Sequence, residues 1–227
     1  MRVPTVKIVI LLLLSSPAQP QPQTVHCEGS DASVIAAKTA DARLTCDAVA
    51  RATTLFQSCN IPAIARPLKI EVIDQINDGC FGQYHCGADW IELLAPSAMA
   101  AKRQPNGIYT DLPIDRFFQS IAVHELTHAA MEDAPCPFPA CLVRDEYVAY
   151  VMQMMSLTPG QRRQLAERTD LVGRRTSRDE LHSIMYFMAP ERFAVKAWMH
   201  FTQRDDPCGF LGQLVDGTVL LDRERFE

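Results

Sequence analysis

The sequence of 227 residues has no concentration of positive charge and, after its N-terminal apolar run, no long apolar segment. Its formal net charge is -5 and its basic residues are scattered, so we expect neither a nucleic-acid partner nor binding to an anionic membrane. No later segment approaches the length of a transmembrane helix, and no lipobox precedes Cys27. The sequence therefore predicts no membrane anchor.

The N-terminus has the three parts of a secretory signal peptide. Met1-Arg2 and Lys7 supply positive charge, the run from 8 to 14 is apolar, and small residues follow up to Ala18. This order is typical of a cleaved signal and not of a membrane span. We expect a signal peptide over 1–18 and a secreted or periplasmic protein.

All eight cysteines follow the predicted cleavage point, and an even number in an oxidising compartment favours disulfides. Zinc-ribbon spacing is absent. Two pairs bracket short, turn-rich loops, so we predict the bonds Cys80–Cys86 and Cys136–Cys141. Cys46 and Cys59 should not bond to each other, because a continuous helix of thirteen residues would hold them roughly 20 Å apart. The pairing of Cys27, Cys46, Cys59 and Cys208 is otherwise open.

The chain after the predicted signal peptide is long enough for one well-packed domain, and 48% of the full sequence is apolar. We predict one α+β domain over 19–227, with an N-terminal lobe to about residue 157 and a helical lobe over 158–227. A helix is expected over 40–58, and strands over 68–76 and 89–94. Three helix starts are expected in the second lobe, at Thr158-Pro159, at Ser177 with Glu180, and at Ala189-Pro190.

The motif His124-Glu125-Leu126-Thr127-His128 is the strongest chemical signal in the chain. Its flanks are uncharged and its apolar residues recur every three to four positions, which predicts a helix from about 113 to 132. On a helix this spacing places His124 and His128 one turn apart on one face, as two metal ligands require. The alternative is that both are ordinary helix residues with satisfied hydrogen bonds.

A catalytic zinc ion needs a third protein ligand and one open position. Zincins with a glycine turn and a further ligand soon after the helix are excluded, because Met131 and Ala134 stand at those two positions. Glu132 and Asp133 are too close in sequence to reach the same ion. Glu146 lies in a second segment with helical periodicity, over 144–152, and is the best candidate.

These residues resemble the gluzincin class of zinc metallopeptidases, which carry H-E-x-x-H and then a Glu on the next long helix. The resemblance covers about residues 69 to 157 and implies a zincin-like fold. It implies that His124, His128 and Glu146 bind Zn²⁺ and that Glu125 is the general base toward a zinc-bound water. One position departs from the thermolysin type, in which an acid that orients a ligand His occupies the place of Tyr150.

The resemblance also suggests how a substrate is held. In gluzincin-like folds the strand before the zinc helix is a sheet edge that pairs with an extended peptide, and here that strand is 89–94. An interior strand is the alternative. A His or Tyr of the helical lobe often stabilises the oxyanion in related enzymes, and three residues are candidates, although each also fits a structural role: His182, Tyr186 and His200.

The sequence thus predicts a secreted, disulfide-bonded zinc hydrolase whose substrate is a peptide or protein. One alternative is a zincin-fold binding protein that retains zinc with little turnover. Another is a zinc hydrolase that acts on a non-peptide amide. The sequence leaves the exact substrate and the oligomeric state open.

Overall fold

The computed structural model describes residues 21–76 and 80–223. The predicted signal peptide lies outside these residues. The described chain is α+β, with a mixed five-stranded sheet and eight α-helices. The strands lie in the order β1-β2-β3-β5-β4, and their bounds are β1 Gln23–His26, β2 Ala32–Ala36, β3 Leu68–Ile73, β4 Gly82–His85 and β5 Trp90–Leu94.

The sheet combines a parallel centre with antiparallel edges. β3 pairs in parallel with β2 and with β5, whereas β1 pairs antiparallel with β2 and β4 antiparallel with β5. Of the two alternatives for the strand over 89–94, the interior strand is the one formed, and the sheet edge that the resemblance implies was wrong, because β4 covers its outer side. The short β4 lies in a Gly- and Cys-containing segment without alternating apolar residues, so its sequence carries no local strand signal.

The helices follow the capping and periodicity signals closely. Thr158 caps its helix through a capping box with Gln161, and Pro190 occupies the first turn of another helix. The Ser177 and Glu180 box is also formed, but it begins a short 3-10 turn, Arg178–Glu180. The eight helices are α1 Thr39–Ser58, α2 Pro96–Lys102, α3 Ile114–Met131, α4 Leu142–Ser156, α5 Pro159–Glu167, α6 Ser183–Met188, α7 Pro190–Thr202 and α8 Pro207–Val215.

The helix α3 lies at the centre of the molecule. It packs against α4 and α1, and it also contacts α2, β4 and β5. Because neighbours lie on most of its sides, even polar residues such as Ser120 and Thr127 are fully buried, and their hydroxyls donate to main-chain carbonyls of the helix itself. This surrounding explains why the helix containing the motif has so few charged residues.

Three disulfides join the described residues: Cys27–Cys46, Cys59–Cys208 and Cys136–Cys141. The last is the bond predicted from the sequence, and Cys46 and Cys59 take separate partners, as expected. In the residues described here, the predicted Cys80–Cys86 bond is not formed. Both cysteines flank β4, and an extended strand rises about 3.3 Å per residue, which holds its two ends too far apart for a disulfide.

The three disulfides are consistent with an extracellular or other oxidising compartment. A search of the described residues finds no helix with the length and apolar character needed to cross a bilayer.

Candidate metal site

The two histidines of the motif face the same side of α3. His124 and His128 lie one helical turn apart, and their Nε2 atoms are 3.1 Å from each other. The His124 side chain is buried and that of His128 is partly buried. Two imidazole nitrogens thus converge on one point between α3 and α4.

The third group comes from α4. Glu146 Oε2 lies 3.5 Å from His124 Nε2, and Glu146 Oε1 lies 3.7 Å from His128 Nε2. Oε2 is buried and has no hydrogen-bond partner among the described residues. Ligands about 2.1 Å from a tetrahedral metal are about 3.4 Å from each other, so the observed separations match such a site. These three residues can hold a metal ion.

The surroundings of His128 and Glu146 favour the neutral imidazole and the ionised carboxylate that metal ligation requires. Burial, together with His124, lowers the pKa of His128 to about 4. Burial opposes ionisation of Glu146, yet the neighbouring His124 and His128 imidazoles hold the carboxyl pKa below its ordinary value. Glu146 is therefore an anion at neutral pH and His128 a neutral ligand.

Glu125 lies beside this group but faces the edge strand β4. The Tyr84 main-chain N–H donates to Glu125 Oε2 over 3.0 Å, and the carboxylate is buried. Burial raises the pKa of Glu125 to about 7. A β-carbon built on Gly82 would lie 2.7 Å from Glu125 Cγ, so the absence of a side chain at this strand position leaves room for the carboxylate.

A network of hydrogen bonds and ion pairs ties the same strand to the end of α3. Tyr84 Oη donates to Glu132 Oε2 over 2.7 Å, and the Gly87 N–H also donates to Glu132. Arg66 forms ion pairs with Glu132 and Asp89. Glu132, which its position in the sequence excludes as a metal ligand, instead holds the β4–β5 turn against the helix.

The model of the family DUF6639, which is described as a family of unknown function, matches residues 32–224. The chain belongs to this family. The match to DUF6639 runs from β2 past α8 and includes all four site residues. Neither a curated protein nor a solved structure matches the chain. The structure of this DUF6639 chain shows an α+β fold and the His-His-Glu group. The zincin-like architecture stays a prediction.

Two tyrosines lie close to the metal-binding group. The Tyr150 ring centroid is 4.5 Å from that of His124, and Tyr186 lies 6.5 Å from Tyr150. Burial and the Glu146 carboxylate raise the pKa of both phenols, which keeps them protonated at neutral pH. Tyr150, unassigned by the resemblance, and Tyr186, a candidate from the helical lobe, are therefore both brought to the site.

The two other candidates from the helical lobe have different roles. His182 is exposed, and its Nδ1 accepts the Met185 N–H as the cap of α6. His200 lies on the far side of α4, where its Nδ1 is 3.0 Å from Tyr147 Oη. Tyr147 follows Glu146 directly and therefore points about 100° away from it around the helix. Neither histidine is placed beside the His-His-Glu group.

A buried glutamine behind His124 is not among the residues predicted from the sequence. Gln153 lies on α4, seven residues after Glu146, and its Nε2 is 3.3 Å from Ser120 Oγ. Seven residues are close to two helical turns, so Gln153 and Glu146 share the face of α4 that meets α3. The spacing of seven residues from Glu146 was the one sequence feature that could have pointed to Gln153.

Proposed function

We propose that this protein is a zinc-dependent hydrolase that cleaves peptide bonds in an oxidising compartment outside the cytoplasm. The observation that carries the proposal is the buried His124, His128 and Glu146 group with a buried Glu125 carboxylate beside it. A structural zinc site is normally closed by four protein ligands, whereas three ligands leave a position for chemistry.

His124 Nε2, His128 Nε2 and one Glu146 oxygen are the atoms that would hold the zinc ion. Zinc bound there would supply Lewis acidity, which polarises a substrate carbonyl and acidifies a water molecule. Two imidazoles and one carboxylate are a common catalytic ligand set for this metal. The group's net charge with the ion would be about plus one, which favours an oxyanion developing nearby.

Glu125 is the residue that moves protons in this proposal. Its pKa of about 7 suits a general base at neutral pH, because the carboxylate is available and its conjugate acid can give the proton up again. A Glu125 oxygen would take a proton from the attacking water and pass it to the leaving amine. Without a bound peptide the Tyr84 N–H holds Oε2, and because Gly82 has no side chain there is room beside the strand for Oε1.

The substrate would lie along β4. Leu94 N–H donates to Phe81 O, which makes Phe81 and Leu94 a hydrogen-bonded pair of the antiparallel ladder. Because such pairs alternate, the main-chain groups of Gly82 and Tyr84 point away from β5 and toward the open edge. An extended peptide can pair with them as an added strand. The Tyr186 or Tyr150 phenol would donate a hydrogen bond to the oxyanion.

The test is a pair of carboxylate variants. Glu125→Gln should keep stoichiometric zinc but lower hydrolysis by about a hundredfold or more, because it preserves size and hydrogen bonding and removes the base. Glu146→Ala should lose zinc, because two imidazoles alone hold the ion weakly. Glu71→Gln, on β3 beside Lys69, is the matched control and should change neither property.

Zinc content is measured by elemental analysis of protein purified without chelators, and hydrolysis with an unbiased peptide library. Wild-type turnover by Glu125→Gln would refute the proposed mechanism. Wild-type protein that binds zinc but cleaves no library member would favour the alternative of a zinc-containing binding protein.

A further inference from the structure

The helices α3 and α4 run antiparallel where they form the site. Glu146 meets His124 and His128, and Gln153, two turns further along α4, meets Ser120, which lies one turn before His124 on α3. Seven residues span about 10 Å of helix. Gln153 therefore lies behind the metal-binding group, on the side of His124 that faces the interior of the protein.

The orientation of the Gln153 amide follows from its neighbour. Ser120 Oγ lies 2.8 Å from the Phe117 carbonyl and donates its single hydrogen to it. Its oxygen can then only accept, so the Gln153 group that faces it at 3.3 Å must be the NH₂. The amide oxygen, Oε1, consequently points to the other side, and it is buried.

Two buried atoms behind the site lack a partner in the part of the chain that the structure describes: Gln153 Oε1 and His124 Nδ1. They are chemically complementary, since an amide oxygen accepts and a protonated Nδ1 donates. Ser120, which the Gln153 amide contacts, lies four residues before His124 on α3, so the amide lies about one helical turn from that imidazole on the face that α3 and α4 share. Buried polar groups are nearly always paired, which favours a bond between these two.

We propose that Gln153 is a positioning residue that accepts the His124 Nδ1–H bond and so holds Nε2 toward the metal. A histidine that binds a metal through Nε2 must carry its hydrogen on Nδ1, and the acceptor of that hydrogen fixes both the tautomer and the ring plane. The inference rests on the proposed metal site and extends it to the residue that orients one ligand.

A second polar group near Gln153 has to be separated from this role. Tyr109 Oη is also buried without a partner in the described chain, and the Gln153 side chain influences the pKa of Tyr109. An amide oxygen has two lone pairs and can accept from both residues. Tyr109→Phe should therefore leave zinc affinity within about twofold of wild type, whereas loss of the Gln153 oxygen should not.

The experiment measures zinc affinity by competition with a chelator. Gln153→Met keeps length and burial but removes the acceptor, and we expect zinc to bind about 10- to 100-fold more weakly. Gln153→Glu restores an acceptor and should return affinity to within a few-fold of wild type. Gln119→Met is the matched control, because Gln119 is a buried glutamine on α3 whose amide bonds to Arg116 and not to a ligand.

A spectroscopic readout separates positioning from a packing role. In ¹⁵N-labelled zinc-loaded protein, the His124 Nδ1–H should give a signal protected from exchange in wild type and in Gln153→Glu. If thermal unfolding of the metal-free protein shows that Gln153→Met is not folded, the wild-type Nδ1–H signal alone tests the inference. An unprotected Nδ1–H in wild type, or a folded Gln153→Met with wild-type affinity, overturns the inference while the metal site stands. Wild-type protein that binds no zinc overturns both.

Discussion

Replacing Gly82 with alanine tests how closely the edge strand fits the proposed general base. The added β-carbon would lie 2.7 Å from Glu125 Cγ, 2.9 Å from Glu125 Oε1 and 3.0 Å from Ile121 Cγ2. Carbon atoms in contact are normally about 3.5–4.0 Å apart, so the strand or the carboxylate must move by roughly 1 Å. The backbone of Gly82 is not in the left-handed region, so alanine tests packing alone.

Two effects should follow from this movement. Overpacking of this kind typically lowers the free energy of unfolding by about 1–3 kcal/mol. A displacement of about 1 Å at a reacting group can cost about a hundredfold in rate, so hydrolysis should fall while zinc remains bound. Gly212→Ala in α8, where a β-carbon meets nothing within 4 Å, is the control and should stabilise slightly.

The assay is chemical denaturation, combined with a double-mutant cycle. In a Glu125→Ala background most of the collision is gone, so Gly82→Ala should cost distinctly less than in wild type. An equal cost in both backgrounds would show that the collision with Glu125 does not determine the effect. Wild-type stability and turnover in Gly82→Ala would refute the described packing of β4 on α3.

Two further predictions concern stability. Burial and Arg204 lower the pKa of His200 to about 4 in the folded protein, so the folded state favours the neutral imidazole. The free energy of unfolding should therefore be unaffected by His200 above about pH 6.5 and should fall by about 1–3 kcal/mol as the pH drops to 4. Chemical denaturation of His200→Asn as a function of pH should lack this decrease. The Cys59–Cys208 bond closes a loop of 149 residues and the Cys136–Cys141 bond a loop of only 5. Replacing both cysteines of a bond with serine should therefore lower the free energy of unfolding by about 5 kcal/mol for the first bond and about 2 kcal/mol for the second, through loop entropy. Equal losses in chemical denaturation would contradict this.

The helices of the site could be predicted because their signals are local. The periodicity of 113–132 and the caps at Thr158 and Pro190 depend on residues within one or two turns, and the structure places helices there. The pairing of Glu146 with the motif was predicted from type, order and spacing, and the structure brings these groups within 3.7 Å.

The parts that could not be predicted depend on distant residues. The strand β4 exists because it pairs with β5 and packs on α3, and neither contact is visible in its own sequence. The same holds for Cys59–Cys208, which joins α1 to α8 across the fold. Gln153 is one buried polar residue on a helix, and its relation to His124 appears only once α3 and α4 are packed together.

The hydrogen bond from the Tyr84 amide to Glu125 has a consequence for how a peptide would enter. That N–H points toward the open edge of the sheet, where an incoming strand would need it for a carbonyl oxygen. One hydrogen serves one strong acceptor at a time, so a peptide that paired at Tyr84, as we propose, would displace the carboxylate. In the proposed function, docking would then be an exchange in which the peptide carbonyl takes the Tyr84 N–H and the Glu125 carboxylate is released from the strand.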